Sequence, residues 1–278
     1  MSLLYKTAKW DKQVREYKKI KAIELSYKNI YTHKKLYLSP DEVISKSKSK
    51  FVRPIKDLMS VYYQLGNDYF RIAESSYMFE DNKLSLECLY RYLVYRSEAY
   101  KNYDGKAENL GIVHEIQVGK YFNRLMCTAI LFDEYERVSE FSHFSKIISA
   151  IYKRDYEKAA EYVNALPENV DDSKEVYYIN NAYLKNTFSA LLSGDEKNFK
   201  KSIEERVKKM RQNPPGYLTA IDIISLGLIK LSQERGMNFD INVIEIPLDF
   251  IEEAKQFDKN GIEIDLFEKT DYPDRDVM

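Results

Sequence analysis

Nine glycines and seven prolines in 278 residues leave this chain few places to interrupt a helix. Ordinary usage is about 7% glycine and about 5% proline, so both residues are scarce. Glycine supplies left-handed turns and proline breaks helix interiors, so their scarcity favours long helices with short connections. Apolar residues make up 44% and charged residues 31%, the balance of a globular chain with a heavily charged exterior. A chain of this length buries roughly 75% of the surface that its unfolded form exposes, so it needs no disulfide or metal to hold a core.

Apolar residues recur at helical spacing over most of the sequence. Trp10, Val14, Tyr17, Tyr27 and Tyr31, flanked by Ile20, Ile23 and Ile30, predict a long basic amphipathic helix. Ser39-Pro40-Asp41-Glu42 predicts a short second helix, with Ser39 as cap and Pro40 at its first position. The Ser/Lys alternation over 45–50 reads as a flexible connection. A third helix is expected from near Pro54, with a stripe of Ile55, Leu58, Met59, Tyr62, Leu65, Tyr69, Ile72 and Ala73. Asp81-Asn82 opens a helix through Leu84, Cys88, Tyr92, Tyr95 and Ala99, which Asp104-Gly105 ends. Leu110 to Phe132 carries another stripe, and Val138 to Ile151 one more.

Two turns then resemble each other. Lys153-Arg154-Asp155 and Ser193-Gly194-Asp195 lie forty residues apart, and each follows one apolar helix and starts the next. An aspartate there accepts hydrogen bonds from the first free amides of the new helix and meets its dipole favourably. This is the grammar of antiparallel helix pairs in tetratricopeptide-like arrays, although such solenoids normally need about three copies. Pro214-Pro215-Gly216 stops one helix, and Tyr217, Ile221, Ile224, Leu228 and Leu231 form a stripe ending at the Arg235-Gly236 stop. Asn242 to Ile246 reads as a short extended segment, and Pro247 starts a final helix through Phe257. Gly261 to Phe267 alternates apolar and acidic residues, as in a short strand or an ordered tail, and the end beyond Tyr272 is expected to fray. The expected fold is all-α: an array of antiparallel helix pairs, tetratricopeptide-like in its second half, with a short extended segment near the C-terminus. It forms a single all-helical domain over 1–278, or two halves, 1–140 and 141–278, packed together.

Reaction chemistry is hard to find. His114-Glu115 begins like a zinc-binding helix, but the fourth residue on is Val118 where a second histidine is needed. His33, His114 and His143 fall on separate expected helices. Gly111 and Gly119 belong to no phosphate-binding glycine pattern, and no GxSxG elbow occurs. Cys88 and Cys127 sit in apolar runs without CxxC spacing, as buried free thiols in a reducing compartment, and a disulfide between them stays open. Glu115 and Glu134 serve acid–base work only if the fold brings them together. No catalytic residue, cofactor or metal is therefore expected. No run approaches the roughly 18 apolar residues of a membrane helix. Residues 1–17 are charged throughout, without the apolar core of a secretory signal, so a cytoplasmic location is expected.

The net charge of −1 conceals a strong bias. Tyr5 to Lys56 holds fifteen basic against five acidic residues, and Asp240 to Met278 four against twelve. These are two solvated faces that attract each other, or two patches that steer a charged partner. The aromatic stripe of the basic helix fits the buried side of a surface helix, so nucleic acid is not expected as a partner.

The last third resembles the immunity protein 49 family, all-α proteins encoded beside bacterial polymorphic toxins. The matching features are Gly194-Asp195 with Phe199, the Pro215/Leu218 helix start, Ile224 to Leu231 leading to Arg235-Gly236, and Pro247-Leu248. They span roughly Ile147 to Phe250. The resemblance implies neutralisation of a cognate toxin by direct binding, without catalysis, and it assigns a role to no single residue. Against a basic toxin, the acidic C-terminal region is the expected docking face, with Glu252, Glu253, Asp258, Glu263 and Asp265 as candidates. The competing reading is a helical-repeat regulator or scaffold that binds a peptide or signalling partner. An enzyme of unfamiliar helical type comes third.

Overall fold

The computed structural model describes residues 12–46, 55, 57–78, 80–102, 120–138, 143–166, 181–212 and 220–267. The protein is all-α. Among the described residues there are eleven α-helices and one 3₁₀ turn (Tyr135–Arg137), and no strand. The chain divides into two compact units at 112/113 and 257/258, neither of which coincides with a division at 140/141.

The four-helix unit comprises α1 (Lys12–Leu38), α2 (Pro40–Lys46), α3 (Leu58–Met78), α4 (Asn82–Lys101) and the returning segment 258–267. The Pro40 start and the long basic helix are present as expected, but the expected stripe is not its buried side: Tyr27 and Tyr31 are exposed, and α1 is buried through Ile30, Leu36 and Tyr37. The third helix begins at Leu58 rather than near Pro54, because Asp57 takes the capping role, accepting the Ser60 amide at 2.6 Å. Pro54 and the connection over 47–54 lie outside the described residues. Helices α3 and α4 pack along their length, and α1 packs on α3. The expected stripes are the buried ones: Met59, Tyr62, Leu65 and Ile72 from α3 meet Cys88, Tyr92, Tyr95 and Ala99 from α4. Each such large apolar side chain contributes about 1.5–3 kcal/mol on burial. The α4 helix ends at Asn102, ahead of the Asp104-Gly105 stop that was expected. Arg96 is 1% exposed in this core, its guanidinium 3.9 Å from the Tyr63 ring centre.

The seven-helix unit comprises α5 (Lys120–Leu131), α6 (His143–Tyr152), α7 (Tyr156–Asn164), α8 (Asn181–Ser193), α9 (Glu196–Gln212), α10 (Ile223–Glu234) and α11 (Asp249–Lys255). The expected helix from Leu110 is seen from Lys120; residues 103–119, with His114 and Glu115, lie outside the description, as do 213–219 and 268–278. Helices α6 to α9 each pack on the next. The centre belongs to α5 and α10, which are about a hundred residues apart in sequence. Both are apolar nearly all round, as helices enclosed by others must be: Leu125 to Phe132 is buried without a break, and so is Leu226 to Ser232. Their backbones touch at Gly227, where an added Cβ would stand 2.6 Å from Cys127 Cβ and 2.8 Å from Cys127 Cα and O. In place of the extended segment expected at Asn242–Ile246 the chain turns, the Ile246 amide donating to Val243 O at 3.0 Å. The turn is tied to the start of α10 by the Asp222 amide, which donates to Glu245 O at 2.7 Å.

One turn is used repeatedly. Helices α3, α5, α6, α8 and α10 each end on a left-handed residue: Glu80 (φ 68°), Asp133 (56°), Arg154 (60°), Gly194 (71°) and Gly236 (82°). In each, that residue's N–H donates to the carbonyl three back, and the next N–H to the carbonyl five back, as Asp195 does to Ala190 O at 2.9 Å. This is the Schellman closure of a helix. In three of the five, the next residue is an aspartate that caps the following helix. Asp81 accepts from Leu84 N, Asp155 from Lys158 N and Asp195 from Asn198 N.

Candidate functional site

The five acidic candidates are not gathered on one element. Glu252 and Glu253 lie on α11 of the seven-helix unit, whereas Asp258, Glu263 and Asp265 belong to the four-helix unit. Glu252 is exposed and accepts from Lys255 Nζ at 2.7 Å, while Glu253 is half-buried. Asp258 turns its carboxylate onto its own chain, accepting the amides of Asn260 at 3.1 Å and Gly261 at 3.2 Å. Glu263 is exposed, and Asp265 pairs with Lys34 of α1. The basic N-terminal helix and the acidic C-terminal segment thus meet inside one unit, through a contact 231 residues apart in sequence. Part of the acidic charge is spent on local partners.

A more developed feature is a groove of about 500 Å³ between α7 and α8. Tyr156, Ala160 and Val163 line it from one helix at helical spacing, and Ser189 and Leu192 from the other. Val163 is buried at its floor, and Tyr156 stands 43% exposed at its end. Arg235, the residue that closes α10, holds this end together. Its Nη2 donates to Leu192 O at 3.1 Å, and its guanidinium lies 4.3 Å from the Tyr156 ring centre. A tyrosine stacked on an arginine loses little further side-chain freedom when a partner covers it. In the sequence Arg235 reads only as part of a helix stop, and Tyr156 is only the residue after the Asp155 turn. No local pattern says that they meet.

Elsewhere the buried polar groups serve the scaffold. Asp222 caps α10 and grips Arg206 of α9 by two parallel bonds, Nε–Oδ2 at 2.9 Å and Nη2–Oδ1 at 3.0 Å, while Ser225 Oγ donates to its other face. Burial pulls the Arg206 guanidinium down, but Asp222, together with Tyr183 and Cys127 nearby, outweighs it, so its pKa is raised. Lys230 is enclosed in α10 and points its ammonium at the end of α5. There it donates to Ile130 O at 2.8 Å and Leu131 O at 3.1 Å and pairs with the Asp133 carboxylate. Beside it, burial raises the Glu234 carboxyl against the pull of Lys230. Cys88 and Cys127 are free and buried, as expected of inert thiols, and burial pushes the Cys88 thiol up to about 12. His33 bonds Asp68 at 2.9 Å through Nδ1. Among the described residues no group of three or more His, Cys, Asp or Glu is placed to hold a metal ion, and no helix is long and apolar enough to cross a membrane. Comparison of the chain with protein-family models, with curated proteins and with solved structures gave no match.

Proposed function

We propose that this protein is an immunity protein that neutralises a cognate bacterial polymorphic toxin by direct binding in the cytoplasm, without catalysis. The resemblance of Ile147 to Phe250 to immunity protein 49 supports this reading. One observation carries it: the α7–α8 groove ends on an exposed tyrosine braced by an arginine. Binding energy at protein interfaces concentrates in tyrosine, tryptophan and arginine set in well-packed pockets. A groove of this size takes an anchoring side chain or two, and helices α6 to α9 act as a tetratricopeptide-like platform that presents it. Glu252 and Glu253 of the same unit, with Asp258, Glu263 and Asp265 of the other, steer a basic toxin and so act on its rate of capture.

The second reading, a helical-repeat regulator or scaffold holding a peptide, draws on the polar part of the same groove. Asn164, Ser189 and Ser193 offer side-chain partners to a peptide backbone. Co-expression with the product of the neighbouring open reading frame separates the two. The immunity reading expects a stable complex and survival of cells that the product alone kills. Tyr156→Ala should then weaken the complex at least tenfold, about 1.4 kcal/mol, with an unchanged melting temperature. A complex with a harmless product favours the scaffold, and no complex with a toxic product sinks the immunity reading.

A further inference from the structure

In the four-helix unit, segment 262–267 lies against α1, α3 and α4 in the manner of a bound peptide. Tyr62 of α3, 2% exposed, uses its hydroxyl twice: it accepts the Phe267 amide at 2.7 Å and donates to Phe267 O at 3.0 Å. Its ring stacks on Phe267 at 5.7 Å and 15°, and Tyr37 of α1 closes on Phe267 from 5.5 Å. Tyr95 of α4 donates to Asp265 O at 3.3 Å, and Lys34 of α1 takes the Asp265 carboxylate. Tyr69, stacked on Tyr95 at 5.5 Å, extends the aromatic floor.

Three helices thus each contribute a contact to a short stretch that has no secondary structure of its own. Three of the four hydrogen bonds read main-chain atoms. The side-chain readers are one cation for one carboxylate and two tyrosine rings for one phenylalanine. The stretch adds little to the core: Glu263, Asp265 and Leu266 are exposed, Leu266 by 52%. A segment tied by a handful of side-chain contacts opens at lower cost than the helices beneath it.

We propose that this face is a receptor groove for an extended peptide in which an acidic residue stands two positions before an aromatic one, the residue between them pointing to solvent as Leu266 does. Asp265-Leu266-Phe267 fills it in cis, and an exposed segment of that chemistry on a partner protein takes it in trans. The site is distinct from the α7–α8 groove, and it stands or falls independently of the toxin reading. A tethered segment competes at an effective concentration of the order of millimolar, so the cis strap masks the groove from weak ligands.

The test uses the full-length chain and a labelled peptide spanning Asn260 to Phe267, amidated at its end. The variant Asp265→Ala/Phe267→Ala, with its strap weakened, should bind the peptide at least tenfold tighter than the parent. Adding Tyr62→Phe, which keeps the ring and removes the hydroxyl, should reverse that gain. A peptide with alanine in place of the phenylalanine should not bind. Equal, weak binding by a folded strap variant and the parent overturns the proposal. Should the strap variant fail to fold, the parent decides: exchange of the Phe267 amide should accelerate as free peptide rises to millimolar, and an unchanged rate overturns it. A concentration-dependent dimer of the parent with exchanged segments would assign the groove to a second copy and overturn the partner reading.

Discussion

Gly227 is the residue on which the seven-helix unit depends most directly. Two of the three atoms that an added Cβ would meet belong to the backbone of Cys127, so no rotamer change relieves the clash. Overpacking costs about 1–3 kcal/mol where side chains can shift, and the upper end applies here. Gly227→Ala should lower the urea midpoint accordingly, and Cys127→Ala in the same chain should not restore it, since Cα and O remain. A Gly227→Ala protein as stable as its parent would mean that α5 and α10 do not approach so closely. Lys230 follows the same logic of enclosure: its charge is tolerated in α10 because the last carbonyls of α5 and two carboxylates surround it.

At the scale of the element, the recurrent turn separates two costs. Gly194 adopts φ 71° with nothing within 4 Å of where a Cβ would be, so its requirement is conformational alone. Arg154 adopts φ 60° with a Cβ in place, at a strain of roughly 1–2 kcal/mol. Glycine there removes the strain and loses part of the gain to the greater freedom of the unfolded chain. Arg154→Gly should therefore stabilise by about 0.5–1 kcal/mol, the reverse of the usual glycine effect, while Gly194→Ala destabilises by about 1 kcal/mol. Denaturant titration of both variants checks the pair, and a loss of stability in Arg154→Gly would contradict the strain argument. The third aspartate of this set, Asp81, should cost about 1 kcal/mol on change to alanine, as caps do.

Over the whole molecule, buried phenols and thiols set the alkaline limit. Burial pushes Tyr69 and Cys88 up to about 12, and it raises Tyr62 and Tyr95 in the same unit and Tyr152 and Tyr183 in the other. Their unfolded values are 9.0 for the thiol and 10.0 for the phenols. Between those values and the folded ones, the folded chain keeps protons that the unfolded chain has released, so stability falls as pH rises. The melting temperature should be level near pH 8 and drop steeply from about pH 9 to 11, with tyrosinate absorbance rising in two stages: exposed phenols first, then the enclosed ones together with the loss of helix. Full tyrosinate absorbance in a chain still helical would show that the named phenols are not enclosed.

What the sequence determined by itself is local. The Pro40 start, the caps at Asp155 and Asp195, the Gly236 stop and the buried stripes through Cys88 and Cys127 all follow from residues within a turn or two of one another. Hydrogen bonds of that range close before distant parts of the chain matter. The same locality explains the Asp81 turn, where a helix break was legible and its likeness to the other two was not, because glutamate in the left-handed position leaves no mark in the sequence. Tertiary structure alone decided that α5 meets α10, that Lys230 is enclosed rather than solvated, that Arg235 braces Tyr156, and that Asp265 and Phe267 return to α1 and α3. Those pairings join residues from 79 (Arg235 and Tyr156) to 231 (Lys34 and Asp265) positions apart. They are selected by which surfaces can be buried together, a choice that helical periodicity specifies as a face and never as a partner.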